Sequence, residues 1–226
     1  MSSEPVGVLF DLDGTLLDTL QDLADSGNEV VRAWGFPEHP VDAYRTFVGS
    51  GMRHLVQAIF PSEHRPESDA AIDEILEEYR AAYSRNWQRN TVPYPGVTEL
   101  LDQLRDDGIP FGVVSNKAHD FTQKCVEAFL PDWEWGPVMG HREGFEKKPD
   151  PASALEAAAA MGVSPGRCCF VGDSDVDMET GKNAGMVPVG VSWGFRSVEE
   201  LRAHGAAEIL DQPGSLVSLL GELSTR

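Results

Sequence analysis

Four short apolar runs punctuate the chain. Residues 6–11 read Val-Gly-Val-Leu-Phe-Asp, and similar runs follow at 109–115 (Ile-Pro-Phe-Gly-Val-Val-Ser), 168–173 (Cys-Cys-Phe-Val-Gly-Asp) and 187–192 (Val-Pro-Val-Gly-Val-Ser). Between them apolar residues recur at helical spacing, at Val97, Leu100, Leu101 and Leu104 and again at Ala154, Leu155, Ala158 and Met161. Ala157–Ala160 reads as a helix segment small enough to pack closely on a sheet. Near-continuous apolar strands separated by helices are the pattern of a parallel sheet covered on both faces, so an α/β fold is predicted. In such sheets ligands bind outside the carboxyl ends of the strands. Three of the four runs end in Asp11, Ser115 or Asp173.

Residues 18–92 break the alternation, with helical periodicity and no convincing buried strand. Leu20, Leu23, Val30, Val31 and Trp34 predict one helix, and Ile72, Ile75, Leu76, Tyr79 and Tyr83 predict another. Thr91 to Gly96, with Pro93 and Pro95, reads as a linker back to the sheet. The expected organisation is an α/β core of residues 1–17 and 93–226, with a helical cap, residues 18–92, inserted after the first strand.

Charge narrows the function. The 226 residues carry a formal net charge of −19, which disfavours nucleic acid and anionic membranes as partners. An anionic substrate would need a local positive island built from a metal and a few cations. No apolar run approaches the roughly 20 residues needed to span a bilayer, and Met-Ser-Ser-Glu-Pro at the start lacks a signal-peptide pattern. Cys125, Cys168 and Cys169 fit no zinc spacing and are expected to be buried free thiols in a reducing cytoplasm, the last two on opposite faces of a strand. Trp133 and Trp135 are expected to pack under a loop, and none of the scattered histidines is given a catalytic role.

Candidate chemistry gathers at the strand ends. In Asp11-Leu12-Asp13-Gly14-Thr15, two carboxylates two residues apart repel unless a cation lies between them. Mg²⁺ takes oxygen ligands, usually one or two carboxylates plus substrate phosphate. Read alone, the stretch also suits a solvated turn or a calcium loop, although a calcium loop follows a helix rather than a strand. Gly172-Asp173-Ser174-Asp175-Val176-Asp177 places a second acidic cluster at a second strand end. There Asp175 suits a helix N-terminus, while Asp177 either orients Lys148 or reaches a metal indirectly. In Ser115-Asn116-Lys117 a hydroxyl and main-chain N–H groups suit a phosphate oxygen, or Ser115 caps a helix starting near Ala118. Lys148 precedes Pro149 in an extended loop, where its ammonium offsets crowded negative charge, or it belongs to a solvated pair before a helix opening at Pro151.

In this order, Asp-x-Asp-Gly-Thr, Ser-Asn, Lys-Pro and Gly-Asp-Ser-x-x-Asp resemble the haloacid dehalogenase superfamily of phosphatases, over essentially the whole chain. Val48-Gly49-Ser50-Gly51-Met52-Arg53, Asn116-Lys117 and Ser192-Trp193-Gly194-Phe195-Arg196 further resemble phosphoglycolate phosphatases. The resemblance implies a Rossmann-like parallel sheet with a small helical cap and a Mg²⁺ cofactor. It implies that Asp11 attacks phosphorus to give an aspartyl-phosphate. Asp13 would protonate the leaving alkoxide and then take a proton from the hydrolytic water. Mg²⁺ would be held by the Asp11 and Asp173 carboxylates and the Asp13 main-chain carbonyl, with Asp177 in support. Ser115, the Asn116 main chain and Lys148 would grip the phosphoryl oxygens. Gly49 and Arg53 would meet the substrate, and Arg53 either pairs with a substrate carboxylate or is a surface arginine at a helix start.

Asp13 favours phosphoryl transfer over dehalogenation, whose leaving halide needs no proton. Residues 18–92 contain no lysine, which excludes the Schiff base of phosphonate-cleaving relatives. A β-phosphoglucomutase-like phosphomutase, a pyrophosphatase or sugar-phosphate phosphatase of this fold, and a non-catalytic phosphate-binding regulatory protein stay open. The expected partner is a small phosphorylated metabolite, met by a monomer or homodimer.

Overall fold

A computed structural model describes residues 6–224; the pentapeptide considered for a leader lies outside them. In chain order the elements are β1 (Gly7–Phe10), β2 (Leu17–Asp18), α1 (Leu20–Ala33), α2 (Tyr44–Phe47), α3 (Met52–Ala58), α4 (Asp69–Asn86), β3 (Val92–Pro93), α5 (Val97–Asp106), β4 (Phe111–Ala118), α6 (His119–Phe129), β5 (Val138–His141), α7 (Ala152–Ala160), β6 (Cys168–Gly172), α8 (Asp175–Asn183), β7 (Val187–Val191), α9 (Val198–Ala203), β8 (Glu208–Leu210) and α10 (Ser215–Ser224). The chain divides into two compact units. One runs to Leu17 and resumes at Pro93, and the other is Asp18–Val92.

The first unit holds a six-stranded sheet in the order β5-β4-β1-β6-β7-β8, parallel throughout. From β1 the chain proceeds to β4 on one side and later to β6 on the other. That reversal opens a crevice at the carboxyl end of β1. Strands β1 and β6 are buried at every residue because helices cover both faces. Helix α7 presents Ala154, Ala157 and Ala158 to a cluster containing Leu9, Val114 and Phe170, and alanine lets helix and sheet approach closely. Leu155, expected on that face, points outward at 39% exposure. Cys168 and Cys169 on β6 and Cys125 on α6 are buried free thiols. Trp135 meets Phe111 edge to face at 4.9 Å and donates to the Leu130 carbonyl at 3.1 Å.

Ser115 lies inside β4, which starts at Phe111 and continues to Ala118. It therefore does not cap α6. Strands β5 and β8 have no counterpart in the apolar pattern: the first is mostly half-buried, and the second begins with exposed Glu208.

The second unit packs α1 against α4 around buried Tyr44, Tyr79 and Tyr83. Gly27 makes room for Tyr44, whose hydroxyl would stand 2.4 Å from a Cβ there. Fully buried Asp22, near the start of α1, accepts hydrogen bonds from the N–H groups of Asn90 and Thr91 at 2.9 and 3.0 Å. It also accepts the Thr91 hydroxyl at 2.8 Å. These bonds clasp the two ends of the unit's sequence together. Strands β2 and β3 pair as a separate two-stranded sheet.

Candidate active site

Asp11 leaves β1 at the crevice, its N–H still bonded to the Val171 carbonyl of β6 at 2.9 Å. The ladder thus fixes the backbone one residue beyond the strand. The buried Asp11 carboxylate accepts the Leu12 N–H at 2.7 Å and a bond from Ser115. Lys148 Nζ lies 3.0 Å from Asp11 Oδ1 and 2.7 Å from Asp177 Oδ1.

Two devices hold Lys148. Asp177 Oδ2 accepts the Ser174 N–H at 3.0 Å and its hydroxyl at 2.6 Å. With the Asp177 N–H returning to Ser174 Oγ, this closes the capping box that starts α8. One carboxylate therefore starts a helix and grips an ammonium. From β4, the Asn116 side chain donates to the Lys148 carbonyl at 3.1 Å and accepts the Lys148 N–H at 2.8 Å. That amide is spent on the lysine's backbone.

Asp173 follows β6. It accepts the Phe195 N–H at 2.7 Å and the Thr15 hydroxyl at 3.3 Å. Gly14 and Gly194 close over it: a Cβ at Gly14 would lie 2.3 Å from Asp173 Oδ2, and one at Gly194 2.1 Å from Asp173 Cβ. Trp193 Nε1 donates to the Thr15 carbonyl at 3.0 Å. The Ser-Trp-Gly-Phe-Arg stretch thus contributes a donor to Asp173, a role its sequence did not announce.

Oxygens of Asp11, Asp173 and Asp177 lie within 4.8 Å of one another, and all three residues are buried. The Asp13 carboxylate stands apart, gripped on both oxygens by Lys117 Nζ at 2.9 and 3.0 Å. Lys117 follows Ser115 by two positions on β4. The signal for it in the sequence was the Asn116-Lys117 pair of the phosphoglycolate phosphatase resemblance, which carried no role for the lysine.

Electrostatics favours a cation here. Burial pushes the Asp11 carboxyl up from 3.8 to about 6, Asp177 adds to the rise, and Lys148 opposes it. Burial, then Asp177 and Asp11, hold Asp173 well above the carboxylate range. Burial alone would lower the Lys148 pKa, but Asp11 and Asp177 together outweigh it and raise it. Lys148 pairs with two of the three buried carboxylates, Asp11 and Asp177, which leaves excess negative charge in a set of hard oxygen donors. Such a set fits Mg²⁺.

Gly49 and Arg53 belong to the Asp18–Val92 unit. Gly49 sits at φ +119° in the loop before α3, a conformation suited to glycine. Arg53 donates to Asp69 at 2.5 Å and to Asp73 at 2.6 Å. The guanidinium therefore braces α3 against the first turns of α4.

Known proteins resemble this chain in sequence and fold. The sequence profile of the haloacid dehalogenase-like hydrolases matches residues 8–191. A phosphoglycolate phosphatase from Psychrobacter arcticus is 33% identical over 217 residues, 94% of each chain. An N-acetylmuramic acid 6-phosphate phosphatase from Pseudomonas aeruginosa is 34% identical over 218 residues, covering 94% of this chain and 93% of that one. A crystal structure from Lactobacillus delbrueckii subsp. bulgaricus, described as a candidate phosphoglycolate phosphatase, superposes with a TM-score of 0.87 at 31% identity, covering 96% of this chain and 98% of that one. The chain belongs to the haloacid dehalogenase-like hydrolases.

Proposed function

We propose that this protein is a Mg²⁺-dependent phosphatase that hydrolyses a small carboxylated phosphate monoester through an aspartyl-phosphate on Asp11. The observation that carries this reading is buried Asp11 paired with buried Lys148 inside an acidic cluster. Among the described residues, no helix is long and apolar enough to cross a membrane. The buried free thiols suit a reducing cytoplasm.

The Asp11 and Asp173 carboxylates and the Asp13 main-chain carbonyl would hold Mg²⁺, with Asp177 in support. When bound, Mg²⁺ supplies positive charge to the oxygens of the transferring phosphoryl group. Asp11 attacks phosphorus as the ester P–O bond breaks, and Asp13 gives its proton to the departing alkoxide. Asp13, now a carboxylate, takes a proton from the water that attacks the acyl phosphate. Cleavage of that P–O bond returns the Asp11 carboxylate and releases inorganic phosphate. Lys148 and the Ser115 hydroxyl steady the phosphoryl oxygens throughout.

The names of two relatives support this substrate class. Phosphoglycolate and N-acetylmuramic acid 6-phosphate, named for two of them, are both phosphate monoesters that also carry a carboxylate. The Asp18–Val92 unit is the proposed selector of that second group. Turnover of p-nitrophenyl phosphate and of both carboxylated esters, with Mg²⁺ or EDTA and with Asp11→Asn, tests the reading. Stoichiometric phosphate release lost in EDTA and in Asp11→Asn is expected. Transfer of the phosphoryl group to a sugar without net release would identify a mutase instead.

A further inference from the structure

Lys117 is a second buried lysine beside the acidic cluster, and the reaction scheme above gives it no task. Its side chain is 2% exposed and that of Asp13 is 12% exposed. Burying an ammonium is costly unless it is paired and hydrogen-bonded. Here both Asp13 oxygens satisfy it, at 2.9 and 3.0 Å.

The two lysines divide the carboxylates between them. Lys148 takes Asp11 and Asp177. Lys117 takes Asp13, and Asp173 accepts bonds from the neutral donors of Phe195 and Thr15, with the Arg196 charge acting on it as well. Without Lys117, the Asp13 side chain would be free to turn towards any cation held by the neighbouring carboxylates. Three successive residues of β4 share the work: Ser115 serves Asp11 and Lys117 serves Asp13. Asn116, between them, serves the Lys148 backbone.

We propose that Lys117 is a positioning residue for Asp13, holding the proton-transfer carboxylate towards the leaving group and away from the cation site. This inference rests on the phosphatase reading, and leaving-group chemistry separates the two. An alkoxide needs a proton as it departs, whereas p-nitrophenolate leaves as a stable anion. General acid catalysis of the kind at stake contributes about 10²- to 10⁴-fold.

The test compares wild type, Lys117→Met and Lys117→Gln on phosphoglycolate, N-acetylmuramic acid 6-phosphate and p-nitrophenyl phosphate, with folding checked by circular dichroism. Lys117→Met should lose at least about tenfold more kcat on a carboxylated alkyl ester than on the aryl ester. In an Asp13→Asn background the same change should add no further leaving-group-selective loss, because coupled residues do not act additively. Should Lys117→Met not fold, Lys117→Gln is read in its place. Equal losses on alkyl and aryl esters, or none, overturn the positioning role while leaving the phosphatase reading intact. A wild type inert towards all three esters overturns both.

Discussion

Asp177 divides its oxygens between a helix and a lysine, and the two duties are separable. Ser174→Ala removes the cap acceptor at the start of α8 and the hydroxyl's 2.6 Å bond to Asp177 Oδ2, but leaves the Ser174 N–H on that oxygen and the Lys148–Asp177 contact at 2.7 Å. A lost cap costs about 1 kcal/mol, so a lowered Tm with turnover largely retained is expected. Asp177→Asn removes the charge facing Lys148, a bond to a charged group worth on the order of 1.5–3 kcal/mol. Turnover should fall further than in Ser174→Ala, and kinetics beside thermal melts will show whether the two losses separate. Arg53 offers the opposite contrast. Asp69 and Asp73, its partners, have side chains 91% and 63% exposed, and exposed pairs contribute about 0–1 kcal/mol. Arg53→Ala should leave both Tm and KM nearly unchanged for phosphoglycolate and p-nitrophenyl phosphate alike. A selective rise for phosphoglycolate would return Arg53 to the substrate. In the sequence, Asp11, Asp173 and Lys148 stood out because a strand end or a following proline marked each. Lys117 entered only within the Asn116-Lys117 pair of the phosphoglycolate phosphatase resemblance, with no role of its own, and the partners of Arg53 lie 16 and 20 residues away along the chain.

At the scale of elements, strand ends deliver the chemistry and glycines let them meet. Gly194 and Gly14 approach Asp173 too closely for any side chain, and Gly172 stands against Asp177, whose Cγ would lie 2.3 Å from a Cβ there. Forcing extra atoms into a packed site typically costs about 1–3 kcal/mol. Gly194→Ala should therefore lower Tm and shrink the rise in Tm that Mg²⁺ produces. Gly166→Ala, where the space is open, should do neither. Differential scanning calorimetry with and without Mg²⁺ checks both. The central strands were legible because burial on both faces leaves an unbroken apolar run. Strands β5 and β8 were not, since they lie at the two edges of the sheet, where one side meets solvent and polarity is mixed. Helices α2 and α3, of 4 and 7 residues, are too short to show an amphipathic period.

Across the whole molecule, a chain of net charge −19 has buried part of its negative charge in one crevice. Without a cation, that choice makes stability depend on pH with a definite sign. Asp11 titrates at about 6 in the folded chain against an ordinary 3.8, and Asp173 is raised as well. Through that window the folded state holds protons that the unfolded state has released, so stability falls as pH rises from about 4 to above 6. Lys148 does not offset the trend, because its raised pKa matters only above its ordinary 10.5. Mg²⁺ competes with those protons, and ligand bound only by the folded state raises Tm by mass action. The rise in Tm produced by millimolar Mg²⁺ should therefore be larger at pH 7.5 than at pH 5. General self-repulsion of an acidic surface would give a similar slope, but screening acts on it through ionic strength alone. KCl matched in ionic strength should reproduce little of the Mg²⁺ effect, and Asp173→Asn should abolish most of it. If KCl and Mg²⁺ stabilise equally at pH 7.5, the crevice holds no specific cation, and the excess charge of Asp11, Asp173 and Asp177 must be met some other way.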